Sequence, residues 1–197
     1  MFDGYWRDRV EPIVDPIGAG LHRVGVTANT LTILGVVGAS AAAVAIGSGR
    51  LRIGFVLVLI AALPDLLDGA VAKAAGPTSK RGAFFDSTAD RVTDTIVTSS
   101  VAWYFISDER GLLAMVPVAI MGLSWLISYQ RAKAESLGFD AKGGLMERAE
   151  RLLLLAFGLA FPSTLVAVMW IMLVLTAITA IQRFAKIWAQ ATSELAA

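Results

Sequence analysis

The sequence predicts an all-α integral membrane protein with six transmembrane helices and an N-terminal amphipathic juxtamembrane helix. Hydrophobic residues make up 56% of its 197 residues and charged residues only 17%, whereas soluble domains carry about 25% charged residues. A helix needs about 20 residues to cross a bilayer, and apolar stretches of about this length recur along the chain. We treat residues 1–197 as one membrane domain, and no cysteine is present to form a disulfide framework.

Residues 1–23 are predicted to form the juxtamembrane helix. Five charged residues between Arg7 and Asp15 interrupt any apolar core of the kind that a signal peptide needs. We expect this helix to lie on the inner membrane surface through one apolar face. A soluble tail is the alternative interpretation. The apolar residues that recur at roughly helical spacing are Phe2, Trp6, Val10, Ile13, Val14, Ile17 and Leu21.

The six predicted crossings follow in order along the chain. Four lie within residues 24–49, 53–72, 82–106 and 111–130, and two more lie at and around residues 152–182. The last stretch carries no charge but is too long for one straight crossing. We expect it to break at Phe161-Pro162-Ser163, because proline suits the first position of a helix. The fifth crossing then includes charged residues upstream of Leu152.

The distribution of lysine and arginine orients these crossings. With the N-terminus in the cytoplasm, 13 of the 17 basic residues lie inside. Arg50, Arg52 and Arg110 lie outside, and Arg91 lies within a crossing. The positive-inside rule therefore predicts cytoplasmic N- and C-termini, and we expect a multi-pass protein of the plasma membrane. A net charge of +1 gives no electrostatic case for a nucleic-acid partner.

Four aspartates lie inside two neighbouring crossings, at Asp65 and Asp68 and at Asp86 and Asp90. The i,i+3 and i,i+4 spacings place each pair on one helix face, and the two pairs match in depth in an antiparallel hairpin. Carboxylates this close require cations in a medium of low dielectric constant. Oxygen ligands favour Mg²⁺, with Mn²⁺ as the alternative. An acidic patch neutralised by basic neighbours and a divalent-cation transporter are the other interpretations.

The residues around these aspartates form a recognisable signature. Residues 65–73 read DLLDGAVAK, eight residues follow, and residues 82–90 read GAFFDSTAD. This pattern resembles DxxDGxxAR, eight residues, GxxxDxxxD, the signature of the CDP-alcohol phosphotransferase family. The one departure is Lys73, where the family has arginine; it keeps the charge but loses the bidentate geometry.

The resemblance implies a six-helix membrane enzyme, usually a homodimer, with a cytoplasmic active site. Such an enzyme uses a divalent metal to displace CMP from a CDP-linked donor with an alcohol. Asp65, Asp68 and Asp86 would hold metal, and Asp90 would share a metal and deprotonate the acceptor hydroxyl. The residues expected to meet CDP-diacylglycerol are Asn29, Thr30, Leu31, Thr32, Gly69, Ala72, Lys73, Ser79 and Gly82.

A second region concerns the acceptor. Residues 128–135 and 143–151 resemble segments of actinobacterial phosphatidylinositol phosphate synthases, which implies inositol phosphate as acceptor. Basic residues at the cytoplasmic ends of three crossings suit a phosphate dianion. Glycerol 3-phosphate would suit the same cluster, and ordinary positive-inside loops are a third interpretation. The residues expected to bind the acceptor phosphate are Ser128, Arg131, Lys133, Arg148, Arg151 and Arg183.

Overall fold

The computed structural model describes residues 3–76 and 79–195, and within these ranges every regular element is helical. The α-helices are α1 (Asp3–Arg23), α2 (Ala28–Gly47), α3 (Leu51–Ala75), α4 (Lys80–Ser107), α5 (Met115–Ser136), α6 (Arg148–Ala160) and α7 (Leu165–Leu195). Short 3₁₀ turns precede α5 and α7, at Gly111–Ala114 and Pro162–Thr164. The all-α prediction is therefore confirmed. The chain divides into two compact units, with the boundary inside α4 between Val101 and Ala102.

The first unit is built on the α2–α3 hairpin, on which α1 packs. The Thr27 hydroxyl caps α2 by accepting a hydrogen bond from the Thr30 amide at 3.2 Å. A tight turn then reverses the chain, and Gly49 supplies the positive φ of 80° that a side chain would oppose. Ala42 and Ile46 of α2 are fully buried, so apolar contact holds the hairpin together.

The second unit contains α5, α6 and α7, and both α5 and α6 pack against α7. The predicted break falls where the sequence indicates it: α6 ends at Ala160 and Pro162 opens the 3₁₀ turn before α7. Gly158 allows the close return of the chain, because a Cβ there would meet Leu165 at 3.0 Å and Val168 at 3.1 Å. Leu159 and Leu165 are buried on the two sides of the turn.

Four helical segments within the described residues are long and apolar enough to cross a membrane: Ala28–Gly47, Leu51–Ala75, Gly111–Ser136 and Pro162–Leu195. Two predicted crossings correspond to helices outside this group. α4 carries the aspartates of the signature, and α6 has 13 residues, about 20 Å of rise. The predicted juxtamembrane segment is helical as α1, with the side chains of Phe2, Trp6, Val10 and Ile13 outside the described part.

Candidate active site

Three of the predicted carboxylates come together in the first unit. Asp65 and Asp68 lie one turn apart on α3, and Asp86 lies in the second turn of α4. Each offers one oxygen, and these oxygens all lie within 4.8 Å of one another. An all-oxygen donor set of this size fits a hard divalent cation such as Mg²⁺ or Mn²⁺. Without a cation, three carboxylates at this separation would repel one another.

The start of α2 reaches the same cluster. The Thr32 hydroxyl lies 3.0 Å from the Ala28 carbonyl oxygen and 3.4 Å from Asp68 Oδ2, and Thr32 is buried. Leu31 is also buried, whereas Asn29 and Thr30 are exposed. Four residues of α2 are predicted to meet CDP-diacylglycerol, and of these Thr32 contacts a carboxylate of the cluster.

The glycines of the signature leave space beside the carboxylates. A Cβ built on Gly69 would meet no heavy atom within 4 Å, and one on Gly82 would meet only Ser79 Oγ, at 3.2 Å. The Ser79 hydroxyl accepts a hydrogen bond from the Gly82 amide at 3.0 Å, so it caps the start of α4. Gly69 therefore presents an open stretch of α3 backbone next to Asp68, where a ligand can approach closely.

Two further residues of the signature form ion pairs. Lys73 Nζ lies 2.6 Å from Asp15 Oδ2 of α1. Asp90 lies one turn beyond Asp86 but outside the group of three carboxylates, and its Oδ2 is 3.5 Å from a terminal guanidinium nitrogen of Arg91. The structure thus brings Asp65, Asp68 and Asp86 together and leaves Asp90 beside them.

In the second unit, Arg183 is the most deeply enclosed of the predicted acceptor residues, with 5% of its surface exposed. Its guanidinium donates hydrogen bonds to the carbonyl oxygens of Ile127 and Gly143 and to Glu147 Oε1, each at 3.1 Å. Its Nε is buried without a hydrogen-bond partner among the described residues. These contacts tie α5, the loop before α6 and α7 together through one side chain.

The start of α6 carries the next two predicted residues. Glu147 and Glu150 form a reciprocal capping box, which satisfies two backbone amides that the first turn leaves open. Arg148 is half-buried at the first helical position. Arg151 is buried, and its guanidinium lies 3.3 Å from the Met146 carbonyl oxygen. The i,i+3 spacing of Arg148 and Arg151 places both on one face of α6.

The remaining predicted acceptor residues lie on α5. Ser128 is half-buried, and its hydroxyl donates to the Ser124 carbonyl oxygen at 2.8 Å. Arg131 is exposed and pairs with Glu135 one turn on, at 2.9 Å. Lys133 is also exposed. Because residues two apart on a helix do not share a face, Arg131 and Lys133 point in different directions.

A polar row on α7, absent from the sequence prediction apart from Arg183, holds the loop before α6. Thr179 Oγ1 accepts a hydrogen bond from the Met146 amide at 2.9 Å, and Lys186 Nζ lies 2.7 Å from Asp140 Oδ2. The Gln190 side chain bonds the Asp140 backbone at 2.7 and 2.9 Å. The hydrogen bond from Lys186 lowers the pKa of Asp140. The sequence does carry a signal for this row, because Thr179, Arg183, Lys186 and Gln190 recur at i, i+4, i+7 and i+11.

We expect Arg183→Met to lower the free energy of unfolding by about 3 kcal/mol, because it leaves Glu147 and the carbonyl groups of Ile127 and Gly143 without their donor. Arg131→Met is the matched control. It breaks an exposed i,i+4 pair, which contributes about 0.5 kcal/mol or less. Reversible unfolding in mixed micelles, followed by tryptophan fluorescence, measures both changes. Equal losses in the two variants would contradict the structural role of Arg183.

Comparison with known proteins gives a consistent result. Residues 25–188 match the CDP-alcohol phosphatidyltransferase family. The phosphatidylinositol phosphate synthase of Mycobacterium tuberculosis is 35% identical over 187 residues, covering 89% of this chain and 86% of that protein. The enzyme of the same name from Streptomyces avermitilis is 34% identical over 197 residues, covering 93% and 81%.

Solved structures agree with the sequence comparison. The crystal structure of the M. tuberculosis phosphatidylinositol phosphate synthase with CDP-DAG bound has a TM-score of 0.83 at 34% identity and covers 90% of this chain and 94% of that one. The same enzyme in complex with manganese and citrate gives a TM-score of 0.81, covering 89% and 88%. With the signature, the clustered carboxylates and these matches, the chain belongs to the CDP-alcohol phosphatidyltransferase family.

Proposed function

We propose that the protein transfers the phosphatidyl group of CDP-diacylglycerol to 1D-myo-inositol 3-phosphate, forming phosphatidylinositol phosphate and releasing CMP. The observation that carries the proposal is the three-carboxylate cluster of Asp65, Asp68 and Asp86, set in the family's signature. The relatives from M. tuberculosis and S. avermitilis, which match about nine-tenths of the chain, are phosphatidylinositol phosphate synthases, and this supports the choice of acceptor.

The donor end of the reaction belongs to the first unit. Asp65, Asp68 and Asp86 would hold the divalent metal, Mg²⁺ or Mn²⁺, and Asp90 would share a metal with them. When bound, this metal supplies positive charge to the attacking and leaving oxygens of the transfer. Gly69 and Gly82 admit the diphosphate close to the backbone. The other residues assigned to CDP-diacylglycerol are Asn29, Thr30, Leu31, Thr32, Ala72, Lys73 and Ser79.

Asp90 acts as the general base. The acceptor hydroxyl oxygen forms a bond to the phosphatidyl phosphorus while the bond from that phosphorus to the CMP oxygen breaks. The electron pair of the broken bond leaves with CMP, and the hydroxyl proton passes to the Asp90 carboxylate. The neighbouring Arg91 guanidinium lies 3.5 Å from Asp90 Oδ2 and places a positive charge beside this carboxylate.

The phosphate of the acceptor is the proposed ligand of the second unit. Arg148 and Arg151 offer two guanidinium groups from one face of α6, and Ser128, Arg131 and Lys133 are the residues of α5 assigned to the same phosphate. Arg183 has three protein acceptors already, so its contribution includes holding the start of α6 in place. Guanidinium groups bind phosphate oxygens through charge-assisted hydrogen bonds, which are stronger than neutral ones.

The membrane arrangement follows from the same proposal. α4 and α6 join the four long apolar segments as the third and fifth of six crossings, and α1 lies on the membrane surface. Both termini and the active site face the cytoplasm, as the basic residues predict, and the membrane is the plasma membrane. The resemblance to the family supports a homodimer. The family match over residues 25–188 supports a single domain that includes both compact units.

We expect Arg148→Ala and Arg151→Ala to raise the KM for inositol phosphate about tenfold or more, because each removes charged hydrogen bonds of roughly 1.5–3 kcal/mol. The KM for CDP-diacylglycerol should change little. Lys142→Ala is the control, since its side chain is exposed on the loop before α6. Initial-rate kinetics with each substrate varied in turn separates the two constants. A rise in the donor KM alone would contradict the assignment.

The proposed reaction is tested by supplying purified protein in mixed micelles with CDP-diacylglycerol, radiolabelled inositol phosphate and Mg²⁺. We expect labelled lipid and CMP to form in equal amounts and both to disappear when the metal is chelated. Free inositol should be a poor acceptor, since it leaves the phosphate-binding cations unpaired. Uptake of divalent cations into vesicles without CMP release would instead favour a transporter.

A further inference from the structure

Helix α1 lies against the part of α3 that connects the carboxylates to Lys73. A Cβ on Gly18 would fall 2.5 Å from Ala70 Cβ and 2.9 Å from the Val71 amide nitrogen, so the absence of a side chain at Gly18 permits the contact. Val14, one turn earlier on α1, is 8% exposed. The backbones of α1 and α3 therefore meet directly at residues 70–71, between Asp68 and Lys73.

The same helix face carries an ion pair to Lys73. Asp15 and Gly18 are three residues apart on α1, as are Ala70 and Lys73 on α3, so each pair lies on one helix face. Lys73 Nζ lies 2.6 Å from Asp15 Oδ2, the short distance of a charge-assisted hydrogen bond. Gly18 and Asp15 thus fix α1 to α3 at two points one turn apart, one apolar and one ionic.

The lysine at position 73 is less organised for binding phosphate than an arginine would be. An arginine side chain carries a planar guanidinium that is already organised for phosphate, whereas a lysine ammonium is a point charge on a flexible stem. The Lys73 side chain is 61% exposed, and a flexible stem with this exposure has several conformations open to it. An ammonium has three N–H donors, so one can bond Asp15 while the others reach a second anion.

We propose that Asp15 is a positioning residue that holds the Lys73 ammonium towards the diphosphate of the CDP-linked donor. This inference rests on the proposed function, in which Lys73 meets CDP-diacylglycerol. It makes the N-terminal helix part of the donor site: α1 supplies a carboxylate that sets the direction of Lys73, and its close packing at Gly18 keeps that carboxylate within reach. Asp15 itself touches no substrate.

The test is a double-mutant cycle of Asp15→Asn and Lys73→Met in the CMP-release assay, with CDP-diacylglycerol varied and inositol phosphate saturating. Exposed ion pairs contribute up to about 1 kcal/mol, so we expect Asp15→Asn to raise the donor KM about fivefold. The kcat and the KM for inositol phosphate should stay near wild type. Asp15→Glu should recover most of the donor KM. In the Lys73→Met background, Asp15→Asn should have no further effect.

Two controls separate positioning from a general loss of structure. Asp108→Asn breaks another exposed ion pair, Asp108–Arg110 at 2.8 Å, and should leave all constants unchanged. Gly18→Ala should also raise the donor KM, because its Cβ displaces α1 from Ala70. Gly20→Ala should not, because a Cβ there meets nothing within 4 Å.

The outcomes distinguish this inference from the proposed function. An equal effect of Asp15→Asn with and without Lys73, a lower donor KM in Asp15→Asn, or an equal effect of Gly18→Ala and Gly20→Ala would overturn the positioning role. An unchanged donor KM in Lys73→Met would overturn both that role and the assignment of Lys73, while the reaction itself stands. Failure of the wild-type protein to release CMP would overturn the proposed function and this inference with it.

Discussion

Asp68→Asn is expected to abolish phosphatidyl transfer, lowering kcat/KM by roughly a thousandfold or more. Asp68 is one of the three clustered carboxylates, and its Oδ2 is also 3.4 Å from the Thr32 hydroxyl. Asparagine keeps the size of the side chain but removes the negative charge that a divalent cation needs. The variant protein should insert and remain monodisperse in detergent, because α3 keeps its apolar surface.

The measurement is the rate of CMP release as a function of Mg²⁺ concentration, together with direct metal binding by calorimetry. Asp94→Asn is the matched control, since Asp94 is a half-buried aspartate of α4 outside the cluster. We expect it to keep a rate within a few-fold of wild type. Wild-type rates in Asp65→Asn, Asp68→Asn and Asp86→Asn, each tested alone, would rule out the metal site.

Asp90→Asn is expected to lower kcat by about 10²–10⁴-fold, the usual contribution of a general base. The KM for CDP-diacylglycerol should change little, because Asp90 acts on the chemical step. The position of Asp90 explains why kcat and not the donor KM should change. Asp90 lies one turn beyond Asp86 and outside the group of three carboxylates, so Asp65, Asp68 and Asp86 remain in place in the variant.

Steady-state kinetics with each substrate varied checks this expectation, and Asp90→Glu provides the comparison, because it keeps a carboxylate that can accept a proton. We expect Asp90→Glu to retain more activity than Asp90→Asn. If Asp90→Asn raised only the KM for CDP-diacylglycerol and left kcat unchanged, Asp90 would be a donor ligand and the base would be another residue.

Much of the fold follows from local sequence patterns. The break between α6 and α7 was predicted from Pro162, because proline both ends the preceding hydrogen-bond ladder and suits the start of a new helix. The clustering of Asp65, Asp68 and Asp86 was predicted from helical spacing and matched depth in two antiparallel helices. Both predictions depend on geometry that a few neighbouring residues determine.

The partners of the basic residues were harder to predict. Arg183 was expected to bind the acceptor phosphate, yet its guanidinium bonds two carbonyl groups and Glu147. Lys73 was expected to meet the donor, and it pairs with Asp15 of α1. Each partner is 36 or more residues away in sequence. Which partner each basic side chain bonds depends on how the helices pack against one another. The periodicity of the sequence does not specify that packing.

We propose an inositol phosphate as the acceptor, and direct competition between two acceptors tests this assignment most simply. Purified protein in mixed micelles receives CDP-diacylglycerol, Mg²⁺ and equal concentrations of inositol phosphate and glycerol 3-phosphate, and the two lipid products are separated and quantified. The ratio of products equals the ratio of the two kcat/KM values. We predict that phosphatidylinositol phosphate predominates at least tenfold. An excess of phosphatidylglycerol phosphate would contradict the claim and leave only CDP-alcohol phosphatidyl transfer.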